Sequence, residues 1–197
     1  MTVARTHELP TYAAWRQCGA REGFEVVFFR LDADGCCATG HATAVEGEQA
    51  WAINYRIRFD RGWLTRSARV RSSSFGRHSA VELATNGRGE WVVDRVPAPE
   101  LDGCLDVDLE GSVFTNALPV NRLRMSVGAT TSVPAAYVRT STLRVERLEQ
   151  SYSRLPSCTD GTQRYEYHAH GFAFFAELTY DEYGLLLTYP GIGSRRA

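Results

Sequence analysis

The chain has 197 residues, a hydrophobic fraction of 44%, an aromatic fraction of 11% and a formal net charge of −1. A chain this long buries about 70% of the surface its unfolded form exposes, so one domain over residues 1–197 needs no disulfide or metal to fold, and the composition excludes a disordered protein. The balanced charge excludes a global field drawing in nucleic acid or anionic membrane and leaves only a local basic patch for such partners.

In chain order, the dominant period is two. Strands are predicted at 25–31, 38–45, 51–60, 63–71, 80–85 and 90–93. In 51–60, Ile53, Tyr55, Ile57 and Phe59 alternate with Ala52, Asn54, Arg56 and Arg58, the pattern of a half-buried strand. A strand at 105–109 follows. Residues 112–123 are the one place for a short helix, although Pro119 would break a long one and bias Leu118 away from helix. Further strands are expected at 122–128, 135–139, 143–149, 164–170, 171–180 and 185–189.

Asp34-Gly35, Asn86-Gly87, Asp160-Gly161 and 181–184 supply turns. About a dozen strands with short turns predict a closed or rolled antiparallel sheet. One internal echo stands out. Residues 59–65 (FDRGWLT) and 180–186 (YDEYGLL) both read as aromatic, Asp, turn, strand. Two hairpins using similar turn residues explain it more simply than a duplication.

All 22 basic residues are Arg. Lysine Schiff-base or general-base chemistry is therefore excluded, and any anion site must use guanidinium forks or backbone N–H groups. Cys18, Cys36, Cys37, Cys104 and Cys158 are odd in number and contain no C-x-x-C. That is neither a zinc nor a thioredoxin pattern, and it predicts reduced cysteines that mostly fill the core. The first 17 residues lack a signal-peptide apolar stretch, and no apolar run reaches membrane-spanning length. The expected location is the cytoplasm, with no integral membrane segment.

Several constellations bear on chemistry. Asp106 and Asp108 are two apart and share a strand face, where they bind a cation, act as acid and base, or simply meet solvent and turn N–H groups. His168 and His170 share a face in the same way, and with the two Asp residues form an alternative metal-assisted hydrolase or lyase site; the bland reading is an exposed polar face. Arg56, Arg58, Arg66, Arg69 and Arg71 cluster on two consecutive strands, as a solvated face or a surface for phosphate or carboxylate groups. Trp63, Trp91, Tyr152, Tyr165 and Tyr167 are candidates to line a ligand cavity, and Asn116 and Arg122 to contact a headgroup. The architectural reading of Asn116 and Arg122 is the leading one, with Arg122 paired to Asp106 or Asp108. No nucleophile motif or phosphate loop is present.

The segment 101–123, LDGCLDVDLEGSVFTNALPVNRL, carries a family resemblance. Gly103-Cys104, the Asp106/Asp108 alternation, Phe114-Thr115-Asn116, Leu118-Pro119 and Arg122-Leu123 resemble the signature of the bacterial putative glycolipid-binding proteins. Gly89-Glu90-Trp91 with Asp94, then Gln150-Ser151-Tyr152, residues 164–167 (RYEY) and Tyr189-Pro190-Gly191 follow in the expected order. The resemblance implies a spiral β-roll, a many-stranded sheet wrapped around one helix, forming homodimers. It also implies non-enzymatic binding of a glycolipid or other amphipathic small molecule, with no cofactor and no nucleic acid. A ligand-free structural dimer is the remaining alternative.

Overall fold

A computed structural model describes residues 9–197. The longest hairpins come where alternation is cleanest. β2 (Glu22–Leu31), β3 (Gly35–Glu46), β4 (Gln49–Asp60), β5 (Thr65–Ser74) and β6 (Arg77–Thr85) form a meander that β7 (Trp91–Val93) and β8 (Val96–Pro97) extend. β4 shows the cause. Trp51, Ile53, Tyr55, Ile57 and Phe59 are buried on one face, whereas Asn54 and Arg56 meet solvent on the other.

A second meander follows later in the chain: β13 (Gln150–Leu155), β14 (Gln163–Ala169), β15 (Phe174–Tyr180), β16 (Leu186–Tyr189) and β17 (Gly193–Arg195). β10 (Thr130–Ser132) pairs with β13 at its outer edge. β1 (Tyr12–Gln17) joins the halves by pairing with β2 on one side and β17 on the other. The product is one 14-stranded antiparallel sheet that is rolled but not closed, with β10 and β8 at its edges.

The roll encloses a smaller layer. β9 (Asp106–Leu109), β11 (Ala135–Val138) and β12 (Val145–Leu148) form a three-stranded sheet in which β9 and β11 run parallel. A 3-10 turn, Phe114–Asn116, leads into α1 (Ala117–Leu123), where Ala117, Leu118, Pro119 and Val120 are buried. Pro119 falls in the first turn of α1, where a missing N–H has no intrahelical acceptor to lose. Both meanders reach this segment. Phe29 and Phe59 pack around Phe114 with ring centroids 5.3 and 6.4 Å apart, and Tyr180 Oη donates to the Asn116 carbonyl at 3.3 Å.

Three expectations change. The strand expected at 122–128 is absent. Arg122 and Leu123 complete α1, and Arg124 stops it in the left-handed region with its N–H on the Val120 carbonyl. β1 and β13 were not legible, because Gln17, Gln150 and Arg154 point inward and blur the apolar alternation. The 135–139 and 105–109 strands pair parallel in a separate sheet, although short antiparallel turns were expected throughout. The reading of the echo as two hairpins with similar turn residues holds in the local geometry. Asp60 Oδ1 accepts from Gly62 and Leu64 N–H, and Asp181 Oδ1 accepts from Tyr183 and Leu185 N–H. Each turn follows a register shift, between Arg58 and Phe59 in one sheet half and between Thr179 and Tyr180 in the other.

Candidate functional site

The interior is unusually polar for a β core, and its polar groups are organised around α1. Glu25 points inward from β2 and is fully buried. Its carboxylate accepts from Tyr55 Oη at 2.5 Å, Ser112 Oγ at 2.5 Å, Val113 N–H at 2.6 Å and Phe114 N–H at 3.3 Å. A carboxylate at this end of the helical segment satisfies backbone N–H groups that have no partner within it. Tyr55 reaches Glu25 by lying across β3 at Gly40, where a Cβ would come within 2.0 Å of the ring. Burial pushes the Glu25 carboxyl above its usual range, against the hydrogen bonds that favour its charged form. The sequence did signal this residue: Glu25 sits in register with Val27, on the face that goes inward.

Asp106 and Asp108 both lie inside, which corrects the solvated-face reading. Asp106 is held by Arg122 through two hydrogen bonds, Nε to Oδ1 at 3.1 Å and Nη2 to Oδ2 at 2.6 Å. The expected Arg122 pairing is therefore with Asp106. Asp108 accepts from Thr115 Oγ1 at 2.6 Å, and burial raises its carboxyl to about 6. Asn116 is hydrogen-bonded at both ends: its Oδ1 accepts from Tyr152 Oη at 2.9 Å, and its carbonyl accepts from Tyr180. Tyr152 is itself fully buried.

The alternative metal set does not come together. His168 and His170 lie 6.0 Å apart, ring to ring, and His168 packs 4.7 Å from the exposed Phe175 on the outer face, while Tyr167 and Ala169 turn inward. Among the described residues, no group of three His, Cys, Asp or Glu is placed to hold a metal. Cys36, Cys37 and Cys104 are buried, Cys18 is half-buried and Cys158 is exposed.

The other candidates divide among three cavities. Trp91 bounds a shallow one of about 460 Å³ beside Pro97 and Pro99, with its indole N–H on the Cys104 carbonyl. Tyr167 and Asn116 line one of about 270 Å³ together with Asp108, Tyr137 and Tyr189, and Arg21 and Arg139 also border it. Trp63 and Tyr165 line the largest, about 730 Å³.

That largest cavity has two kinds of wall. Phe59, Trp63, Val120, Met125 and Tyr165 give it an apolar floor. Asp32, Asp60, Glu182, Arg61, Arg124 and Arg154 also line it, with the amides of Asn121 and Gln163. Arg154 stands 4.7 Å over the Tyr165 ring. The two echoed turns flank the cavity and place Trp63 and Gly184 at equivalent positions, both left-handed at φ 65° and 68°. Gly184 needs no side chain there, and a Cβ would strike Asn121 at 2.4 Å. Trp63 is a bulky residue in a conformation that costs non-glycine residues about 1–2 kcal/mol. It is stacked on Phe59 with centroids 4.7 Å apart.

Comparison with known proteins agrees with the fold and the motif. The model of a family described as putative glycolipid-binding matches residues 12–195. The chain belongs to that family. The crystal structure of a DUF1089 family protein from Pseudomonas aeruginosa is 30% identical, with a TM-score of 0.72, covering 98% of this chain and 96% of its own. A β-barrel-like protein of the DUF1849 domain from Brucella abortus, 8% identical with a TM-score of 0.53 over 93% of each chain, shares the fold alone. No curated protein matches. Among the described residues of this family member, no helix is long and apolar enough to cross a membrane.

Proposed function

We propose that the protein is a non-enzymatic binder of an amphipathic small molecule, held in the Trp63 cavity with its apolar part on the Phe59–Trp63–Tyr165 floor. The strained backbone of Trp63 carries this reading. At the equivalent position of the other turn the chain uses glycine, whereas here a tryptophan takes φ 65° at a conformational cost. Such strain concentrates at ligand sites.

The volume falls in the range of small-molecule pockets. The rim refines the ligand. Three carboxylates and three guanidiniums border it, so its formal charges balance, with Asp32 and Asp60 also paired to Arg58 and Arg66. A neutral headgroup rich in hydroxyls, which both donates and accepts, fits that rim better than a phosphate does. A glycosyl headgroup on a short apolar tail has this chemistry and accords with the family's description.

Trp63→Gly tests the proposal without an ambiguous loss of fold, because glycine suits the backbone at this position. Calorimetric titration of the full chain with monomeric octyl glucoside is expected to show binding that weakens at least tenfold in Trp63→Gly, with thermal unfolding little changed. Equal affinity in the variant, or no binding by the wild type either to octyl glucoside or, by native mass spectrometry, to a co-purified lipid, overturns it.

A further inference from the structure

The Arg cluster on the outer face has no part in the interior cavity. Register places Thr39, Arg56, Arg69 and Glu82 in one row across β3–β6, with His41, Asn54 and Arg71 in the next. Together with Arg58 and Arg95 these residues border a groove of about 570 Å³ on the outer surface of the sheet. Arg95 is held in the left-handed turn between β7 and β8.

Two features set this groove apart from a solvated face with interleaved charges. First, Arg56 stands directly opposite Arg69, and like charges across a strand pair are destabilising. Arg69 has Glu82 and Arg58 has Asp32, but among the described residues Arg56, Arg71 and Arg95 make no ion pair. Five guanidiniums thus share the groove with one carboxylate, Glu82. Second, the same face continues into an apolar stripe. Phe28 is opposite Thr39, Val26 opposite His41 and Tyr12 opposite Phe28. Tyr12, Phe24 and Phe28 are 48%, 43% and 53% exposed, unusual for large aromatic rings unless something covers them.

We propose that the outer face of β1–β6 docks on an anionic phospholipid surface. Arg56, Arg69, Arg71 and Arg95 take lipid phosphates through guanidinium forks, and Tyr12, Phe24 and Phe28 enter the interfacial layer. Guanidinium groups match phosphate geometry, and aromatic rings favour the headgroup level. Neither stripe alone selects a membrane. The contiguous pair, cationic beside aromatic, has the two components that interfacial binding combines. This inference is independent of the ligand proposed for the interior: the groove lies on the opposite face of the sheet and is strongly cationic, where the cavity rim is balanced.

Cosedimentation of the full chain with phosphatidylglycerol vesicles, and with phosphatidylcholine vesicles for comparison, tests it. Binding to the anionic vesicles only is expected, weakened by salt. Each of Arg56→Ser and Arg71→Ser should reduce it about fivefold, and the double variant roughly 20-fold. Phe24→Ser/Phe28→Ser should reduce it with oligomeric state unchanged. No vesicle binding overturns the proposal. So does saturable binding of inorganic phosphate without vesicle binding, which assigns the groove to a soluble anion. So does a dimer that becomes monomeric in Phe24→Ser/Phe28→Ser while vesicle binding stays intact, which assigns the aromatic stripe to a second copy of the chain.

Discussion

The β3–β5 hairpins and segment 101–123 place their polar residues in opposite ways. In the hairpins, Arg56, Arg58, Arg69 and Arg71 lie on the outer face while the apolar set points in. In segment 101–123, Asp106, Asp108, Ser112, Thr115 and Asn116 are all buried. Water and exposed ion pairs satisfy the first set. The second must be satisfied by the protein itself, because a buried polar group without a partner costs more than its hydrogen bond contributes. Substitutions should therefore be severe inside and mild outside, and the hydrogen-bond partners identify where the largest effects fall.

The largest expected effect is at Arg122. Burial raises the Asp106 carboxyl even with these two hydrogen bonds opposing it, so Arg122 is the partner that favours its charged form. Removing one partner of a buried ion pair typically costs about 3–5 kcal/mol. Arg122→Ala should lose about that much in urea melts, and Arg122→Ala/Asp106→Ala should recover part of it. If the single variant keeps wild-type stability, segment 101–123 is not the rigid centre this comparison makes it.

The second effect is a pH dependence. Asp108 has its ordinary value of 3.8 when unfolded and about 6 when folded, because burial disfavours its charge. Between those values the native state binds more protons than the unfolded state, so stability falls as pH rises. The contribution of Asp108 is fully present below about pH 4 and lost above about pH 6, a difference of about 3 kcal/mol. Asp108→Asn removes that slope. Urea melts of both proteins at pH 4 and pH 7 should show wild type losing ground to the variant at the higher pH. An unchanged difference between the two would mean that Asp108 is solvated like the outer-face groups.

How far the fold was legible follows the same division. A strand with water on one side must alternate, so the β2–β6 meander and β14–β15 could be read directly. Residues 122–128 alternate too, over only Leu123, Met125 and Val127, and there α1 and the left-handed Arg124 take precedence. β13 could not be read, because Gln150 and Arg154 are inward polar residues, satisfied by Tyr167 Oη on the next strand and by Ser157 Oγ just past the strand end. Of the site, the Arg122–Asp106 pairing was legible because both residues belong to one motif. Convergence of Asp106 and Asp108 with His168 and His170 was not, since alternation fixes which residues share a face but leaves open whether that face is inner or outer. Trp63 was legible as an aromatic near a turn. That its position matches Gly184 was visible only as an echo between two turns.

The smallest expected effect lies on the outer face, and it sharpens the contrast because its geometry is as good as any inside. Arg164 on β14 meets Glu177 on β15 with Nε to Oε1 at 2.7 Å and Nη2 to Oε2 at 2.8 Å, a two-pronged pair like Arg122–Asp106. The pair also holds Glu177 below the usual carboxylate range. Yet the two side chains are 33% and 41% exposed, against 13% and 1% for Arg122 and Asp106. Solvent screens the attraction, and truncation leaves a carboxylate that water can satisfy. Arg164→Ala should therefore cost far less than Arg122→Ala. Parallel melts of Arg164→Ala and Arg122→Ala compare two pairs of the same residue types and the same two-pronged geometry that differ mainly in burial. A loss at Arg164 as large as that at Arg122 would mean that geometry, and not exclusion of water, sets the strength of these pairs.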